Sequence, residues 1–315
     1  MSNILIVDAT NLFLRNYAAR PNLDVHGNPN GGVVGFMISL NKIMSLCNPS
    51  KVILCWDAEG GSARRRKIIE TYKDGRKPTR LNRNFEFELD NPTKNKIEQR
   101  LRLGEYLKDL PVYQVGVPDI EADDSIAFLC KYFSEEHKTI ASSDKDFFQM
   151  ISDEKISMYS LSYKTFVKDE YILEKFGVYS VNFVLARSIV GDKSDNLSGV
   201  KGLGFKKLLK SFPQIKENKK ITLEEMFDFC ASSKDKILKN IIENKNIIED
   251  NYKVMRLDTT LVSANSVNSI IEMVKTRSTM NSTSFKKKMM EDGITTISDS
   301  FMHSFRILEF KERNI

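Results

Sequence analysis

Glu121-Ala122-Asp123-Asp124 puts three carboxylates into four residues, between an apolar run at 112–117, closed by Pro118, and an amphipathic run at 125–133. The first run has strand character and the second has helical spacing, so the acids mark a strand-to-helix junction. A helix start favours one or two acids, because its free N–H groups and dipole attract negative charge. Three exceed what capping needs. Glu121 and Asp124 are three apart, so they face the same way on one turn. Two carboxylates about 4 Å apart repel by roughly 4 kcal/mol at an effective dielectric near 20. Protons or cations must relieve that repulsion, and the stretch reads as half of a metal site.

Working outward, the same pattern recurs. Ile4-Leu5-Ile6-Val7 runs directly into Asp8, and Val52-Ile53-Leu54-Cys55-Trp56 runs into Asp57. A weaker strand at 138–143 ends in Asp144-Lys145-Asp146. Short continuous apolar runs are strands buried on both faces, as in a parallel sheet. Open sheets of that kind gather their ligands at the carboxyl ends of the strands. The predicted fold is α/β: a twisted, mostly parallel central sheet flanked by helices. An apolar helix at 178–190 stops at Gly191, and Asp192 and Asp195 follow, three apart and expected to share a face. Gly199-Val200-Lys201-Gly202-Leu203-Gly204 comes next, then Lys206 and Lys207 at the start of a helix. A helix, a glycine turn and a second helix form a helix–hairpin–helix, whose backbone N–H groups make a phosphate pocket. Singly, each acid reads as a surface or capping residue. Jointly they close four strands and one helix that converge on one sheet edge. Oxygen ligands without Cys or His point to Mg²⁺ or Mn²⁺.

Charge has its own geography. The chain is 315 residues with a net charge of +6, 41% hydrophobic and 29% charged residues, ordinary for a globular protein. Residues 64–83 hold nine lysines and arginines against two acids, a candidate phosphate-binding surface. Tyr72 sits among them, and an aromatic ring there can stack a base. Arg15 is assigned to the same crevice as Asp8. The four cysteines lack CxxC spacing and read as core residues in a reducing compartment. The three histidines offer no zinc pattern. No apolar run approaches the roughly 20 residues a bilayer span needs. With no leader pattern at Met1, a cytoplasmic protein is expected. Residues 158–160 and 165–167 suggest a hairpin, while 96–110, 223–230, 237–254 and 267–274 have helical spacing. The run at 301–310 fits strand or helix.

These motifs resemble those of the 5′-nuclease family: phage and bacterial 5′–3′ exonucleases, flap endonucleases and the phage ribonuclease H of that type. The matching residues run from Asp8 to Lys207. They include Arg65, Tyr72-Lys73 and Arg76 after Asp57, and Gly191-Asp192 through Asp195 into the glycine turn. The resemblance implies a PIN-like 5′-nuclease fold with a helical C-terminal region. It implies one metal cluster at Asp8, Asp57, Glu121, Asp123 and Asp124, and another at Asp144, Asp146, Asp192 and Asp195. Mg²⁺, replaceable by Mn²⁺, would serve phosphodiester hydrolysis. Lys73 and Arg65 would clamp the scissile phosphate, Tyr72 would stack on the terminal base, and Arg76 would complete the catalytic set. Arg64, Lys77 and Arg80 would contact nucleic acid. So would Gly199, Val200, Gly202, Gly204, Lys206 and Lys207, with a potassium ion on the hairpin carbonyls. Residues 1–190 would form the catalytic domain, with an arch at about 77–110, and 191–315 the helix–hairpin–helix and helical tail. The implied substrate is duplex DNA or RNA–DNA with a 5′ end or flap, cleaved to remove primers or flaps in replication by a free-standing monomer. A single-strand-binding protein or sliding clamp would be its partner. Two departures stand out: Ser198 replaces the usual proline of the hairpin turn, and Lys207 replaces a common threonine. A catalytically silent DNA-structure binder is the alternative, disfavoured because a binder gains nothing from such repulsion. A PIN-type ribonuclease would lack the hairpin. A phosphatase using Asp8 would want an acid two residues on, where Thr10 stands.

Overall fold

The computed structural model describes residues 3–82, 84, 91–257, 262–277, 279–297 and 299–313. In chain order the first part comprises β1 (Asn3–Asp8), α1 (Ala9–Ala19), α2 (Gly31–Cys47), β2 (Lys51–Cys55), α3 (Ala63–Arg66) and α4 (Pro92–Leu107). It continues with β3 (Tyr113–Val115), α5 (Ala122–Tyr132), β4 (His137–Ser142), β5 (Ile156–Ser160) and β6 (Thr165–Val167). Then come α6 (Asp169–Phe176), α7 (Ser180–Val190), β7 (Gly191–Asp192), β8 (Leu197–Ser198) and α8 (Phe205–Ser211). The tail is α9 (Leu223–Ser232), α10 (Lys236–Glu243), α11 (Lys245–Met255), α12 (Ala264–Lys275), α13 (Ser282–Glu291) and α14 (Asp299–Arg313).

The main sheet has the order β3-β2-β1-β4-β5-β6. Five strands are parallel, and β6 runs antiparallel to β5. The chain winds outward from β1 to β2 and β3, then crosses back to lay β4 on the other side of β1. The switch point therefore lies between β1 and β4, and the crevice opens outside their carboxyl ends. Asp8 closes β1 and Asp144 lies just past β4, so the topology brings these two acids together.

Alternation along β1 feeds two cores. Ile4 and Ile6 point to a layer with α5, α7 and the tail, through Ile241, Ile248 and Ile270. Leu5 and Val7 point to a layer with α1, α2 and α4, closed by Phe285, Phe301 and Phe305. Both cores run across the expected boundary at 190/191, so the tail completes the sheet's two faces.

Several expectations change. Residues 92–107 do not belong to an arch: α4 buries Leu103, Tyr106 and Leu107 completely against the second core. Any arch is confined to about 77–91, of which Arg83 and residues 85–90 lie outside the described residues. The helix expected at 237–254 is two, separated at Asn244. The run at 301–310 lies within α14, and α13, which carries Lys286-Lys287-Lys288, has no counterpart in the sequence reading. Asp192 and Asp195 do not share a helical face. Asp192 lies in the β7–β8 hairpin and accepts from the Ser194 N–H at 2.8 Å, an Asx turn.

Candidate metal centre and nucleic-acid cleft

The site starts from local capping chemistry. Asp8 caps α1: Oδ1 accepts from the Asn11 N–H at 3.0 Å, and Oδ2 accepts from the Ser142 hydroxyl at 2.8 Å. Ser142 Oγ accepts in turn from the Asp144 N–H at 3.0 Å, tying the ends of β1 and β4. Asp57 holds α5 in place, its Oδ1 accepting from the Ala122 N–H at 2.9 Å. These acids cap helices and also line one cleft. Asp8, Asp57, Asp123 and Asp144 share a space of about 330 Å³ with Thr10, Lys73, Arg76, Lys77 and Lys96.

Crowding shows in the proton affinities. Burial raises the Asp8 carboxyl to about 7, helped by the charges of Asp57 and Asp144. Burial also lifts Asp123 well above the usual carboxylate range, with Asp144 the next cause. An all-oxygen donor set in this state suits a hard divalent cation. Among the described residues, however, no three His, Cys, Asp or Glu side chains are grouped closely enough to hold one ion as they stand. Several of the acids are held instead by internal hydrogen-bond donors, as at Asp8 and Asp57, or by internal cations, as at Asp124 and Asp146.

Arg65 occupies the first set. It is 3% exposed, and its terminal nitrogens donate to both oxygens of Asp124 at 2.7 and 3.0 Å. The same group reaches Glu121 at 2.8 Å, while Nε donates to the Val254 carbonyl at 3.0 Å. Asp124 is therefore an arginine partner, not an available ligand, and Arg65 is too enclosed to clamp a phosphate. Tyr72 is likewise buried, at 3% exposure, with its hydroxyl donating to Glu121 at 3.2 Å. Packed with Leu197, Val254 and Met255, its ring presents no face to a base. Burial favours a protonated Glu121, but Arg65 and Lys73 outweigh it and hold the carboxyl below its ordinary value.

Lys73 does reach the cleft. Its backbone is left-handed at φ 59°, its N–H donates to the Asp195 carbonyl at 2.8 Å, and Nζ lies 2.7 Å from Glu121 Oε1. The residue thus ties the two acidic sets together. Arg76 is exposed and stands 4.0 Å from Asp195; Lys77 lines the cleft beside it, Arg64 is half-buried and Arg80 is exposed. Arg15 departs from expectation: it donates to the Leu161 carbonyl and Ser162 Oγ and lines a separate pocket with Leu161 and Lys164.

The second set contains a residue the sequence reading missed. Arg187, 8% exposed, lies 3.2 Å from Asp146 and is paired with Asp192. Its signal was a lone charge in an apolar helix. Burial still raises Asp146 to about 7, with Asp144 the next cause, and Asp195 is raised, chiefly by burial. Asp144 contributes to the shifts of Asp8, Asp123, Asp146 and Asp195, so both sets lie in one field. Arg100 was also missed; its guanidinium lies 3.3 Å over the Trp56 ring, beside Asp57.

The hairpin joins α7 to α8. Gly191 has φ 83°, and a Cβ on Gly199 would lie 2.0 Å from the Val190 carbonyl oxygen, so backbone packs on backbone there. Gly202, Gly204, Lys206 and Lys207 face outward. Val200 does not: its side chain is core and its N–H donates to the Ile189 carbonyl, leaving nothing for a phosphate. Lys207 Nζ donates to the Gly202 carbonyl at 2.9 Å. Asn251 of α11 donates to the Ser198 carbonyl at 2.8 Å, bracing the turn that lacks proline.

Residues 3–177 match the family model described as 5′-3′ exonuclease, N-terminal resolvase-like domain. The chain is 29% identical over 221 residues to a 5′-3′ exonuclease of Buchnera aphidicola, covering 68% of this chain and 71% of that one. It is 33% identical over 211 residues to the thermostable DNA polymerase I of Thermus thermophilus, but this spans only 23% of the polymerase. Among solved structures, a bacteriophage T5 flap endonuclease, solved with DNA and metal ions, superposes with a TM-score of 0.64 at 17% identity. That likeness covers 98% of this chain and 99% of the phage protein. Flap endonuclease-1 of Methanococcus jannaschii gives 0.53 at 12% identity, over 99% and 93%. These two likenesses concern the fold.

Proposed function

The chain belongs to the 5′-3′ exonuclease family, and we propose that it is a structure-specific 5′-nuclease hydrolysing phosphodiester bonds at the 5′ ends or flaps of duplex DNA or RNA–DNA. The observation that carries this reading is the cleft in which Asp8, Asp57, Asp123 and Asp144 meet Lys73 at the carboxyl edge of the sheet. Those four carboxylates would hold one divalent ion, Mg²⁺ or Mn²⁺, and Asp146, Asp192 and Asp195 a second. Bound there, such ions lower the pKa of a coordinated water and offset charge on the phosphate.

The chain's own groups do the rest. Lys73 brings an ammonium to the rim of the carboxylates, where charge develops on the phosphate oxygens. Arg76, Lys77 and Lys96 line the approach and give the cleft a cationic lip for the backbone. The outward N–H groups of the glycine turn, with Lys206, would hold duplex phosphates away from the acids. Lys207 already places an ammonium on the Gly202 carbonyl, so a potassium ion there would have to displace it. Arg65 and Tyr72 position Glu121 and do not touch substrate. In replication the activity would remove RNA primers or flaps, with a single-strand-binding protein or sliding clamp as the fitting partner class.

End-labelled flap and nicked duplexes, incubated with Mg²⁺, Mn²⁺ or EDTA, test the reading. Cleavage near the 5′ end in either ion, abolished by EDTA, is expected. Intact substrate in both ions would overturn it.

A further inference from the structure

Arg187 stands where a second cation would have to bind. Its guanidinium is shared between Asp146, at 3.2 Å, and Asp192. The two carboxylates come from different elements, the 3-10 helix Lys145–Ser152 and the β7–β8 hairpin. One guanidinium does not balance its surroundings, because Asp144 and Asp195 press on the same group. Nor is the arginine itself satisfied: its Nε is buried with no hydrogen-bond partner among the described residues. Arg65 offers the contrast. There Nε is tethered to the Val254 carbonyl and both terminal nitrogens are closed on Asp124. Arg65 is locked, whereas among the described residues Arg187 is held by its two carboxylates, beside the Phe183 ring 5.8 Å away.

We propose that Arg187 is a resident counter-ion that competes with the second divalent ion for Asp146 and Asp192, so that loading this site requires the guanidinium to withdraw. The inference rests on the two-ion reading above. A competing internal cation reduces an ion's apparent affinity by the fraction of molecules in which it has let go. The four cleft acids carry no such penalty: Asp8, Asp57, Asp123 and Asp144 take no internal cation within salt-bridge reach among the described residues, and Arg65 is confined to Asp124 and Glu121. Ion binding would then be ordered, with the first site filling at lower concentration.

Mn²⁺ binding to the full chain without nucleic acid, followed by the electron paramagnetic resonance of the free ion, tests this. The wild-type protein is expected to show a tight and a weak class. Arg187→Gln should tighten the weak class by roughly tenfold, an ordinary coupling size, and leave the tight class unchanged. Arg187→Lys keeps the charge but loses the planar fork, so a smaller gain is expected. Tighter binding is not what a damaged fold produces, which separates the proposal from a merely structural role. A weak class unchanged or weakened in Arg187→Gln would overturn the inference and leave the two-ion reading standing. Should Arg187→Gln not fold, an unchanged or weakened class in Arg187→Lys would do the same. Wild-type protein that binds no Mn²⁺, or only one class, would overturn the two-ion reading and the inference with it.

Discussion

At the scale of single residues, identical side chains do opposite work. Asp123 and Asp124 are neighbours, yet one lines the cleft and the other closes a buried arginine fork. Asp124→Ala leaves Arg65 short of its main partner, and breaking a buried pair costs about 3–5 kcal/mol. A lowered Tm in EDTA is expected, with a much smaller loss for Asp123→Asn, which removes a like charge. Lys73→Ala is expected to slow cleavage by about 100- to 1,000-fold, the usual cost of losing a preorganised charge stabiliser. Single-turnover rates would read this, with substrate affinity in Ca²⁺ as the control. Protons compete with metal at the same residues. Asp8 and Asp146 titrate near 7 when folded, against about 3.9 for an unfolded aspartate. The folded state binds more protons across that window, so metal-free stability falls as pH rises from about 4 to 7 and then levels. Melts in EDTA should show Tm dropping between pH 5 and 7.5. Added Mg²⁺ should raise Tm more at the higher pH.

At the scale of elements, the hairpin shows what glycines are for. A Cβ at Gly199 would meet the Val190 carbonyl oxygen at 2.0 Å, whereas one at Gly204 would meet nothing within 4 Å. Gly199→Ala should therefore disorder the turn and abolish duplex binding in a gel-shift assay. Gly204→Ala, at an unstrained φ of −108°, should cost less than about 1 kcal/mol, the scale of a helix N-cap change. Strands β1, β2 and β3 were legible as apolar runs, whereas β4 was fainter because Lys138, Thr139 and Ser142 interrupt the run although the strand is buried. Helix α13 was not legible: Phe285 is its one fully buried residue, and three lysines obscure the stripe. The break between α10 and α11 was hidden for a related reason, since the apolar spacing continues through Asn244.

At the scale of the whole molecule, the tail belongs to the sheet. Asp292 takes a two-point contact from Arg102 at 2.8 and 2.8 Å and the Tyr106 hydroxyl at 2.9 Å, fastening α4 to the end of α13. Phe285, Phe301 and Phe305 then seal the face over α2 and α4. A chain truncated before α13 would expose that face, and loss of soluble, cooperatively unfolding protein is expected. The full chain should unfold in a single calorimetric transition. Two resolved transitions divided near 190 would show that the cores are separable.

The residue pattern by itself determined the sheet, the edge at which acids gather, the helix–hairpin–helix and the oxygen-rich character of the site, because all of these depend on local periodicity and turn chemistry. Only the tertiary structure decided which acids are free. Arg65 comes from a basic segment far in sequence from Asp124, and Arg187 from an apolar helix far from Asp146, though only five residues from Asp192. A charge in a sequence reads alike whether it faces a cleft or a neighbour's guanidinium, and folding is what makes the two different.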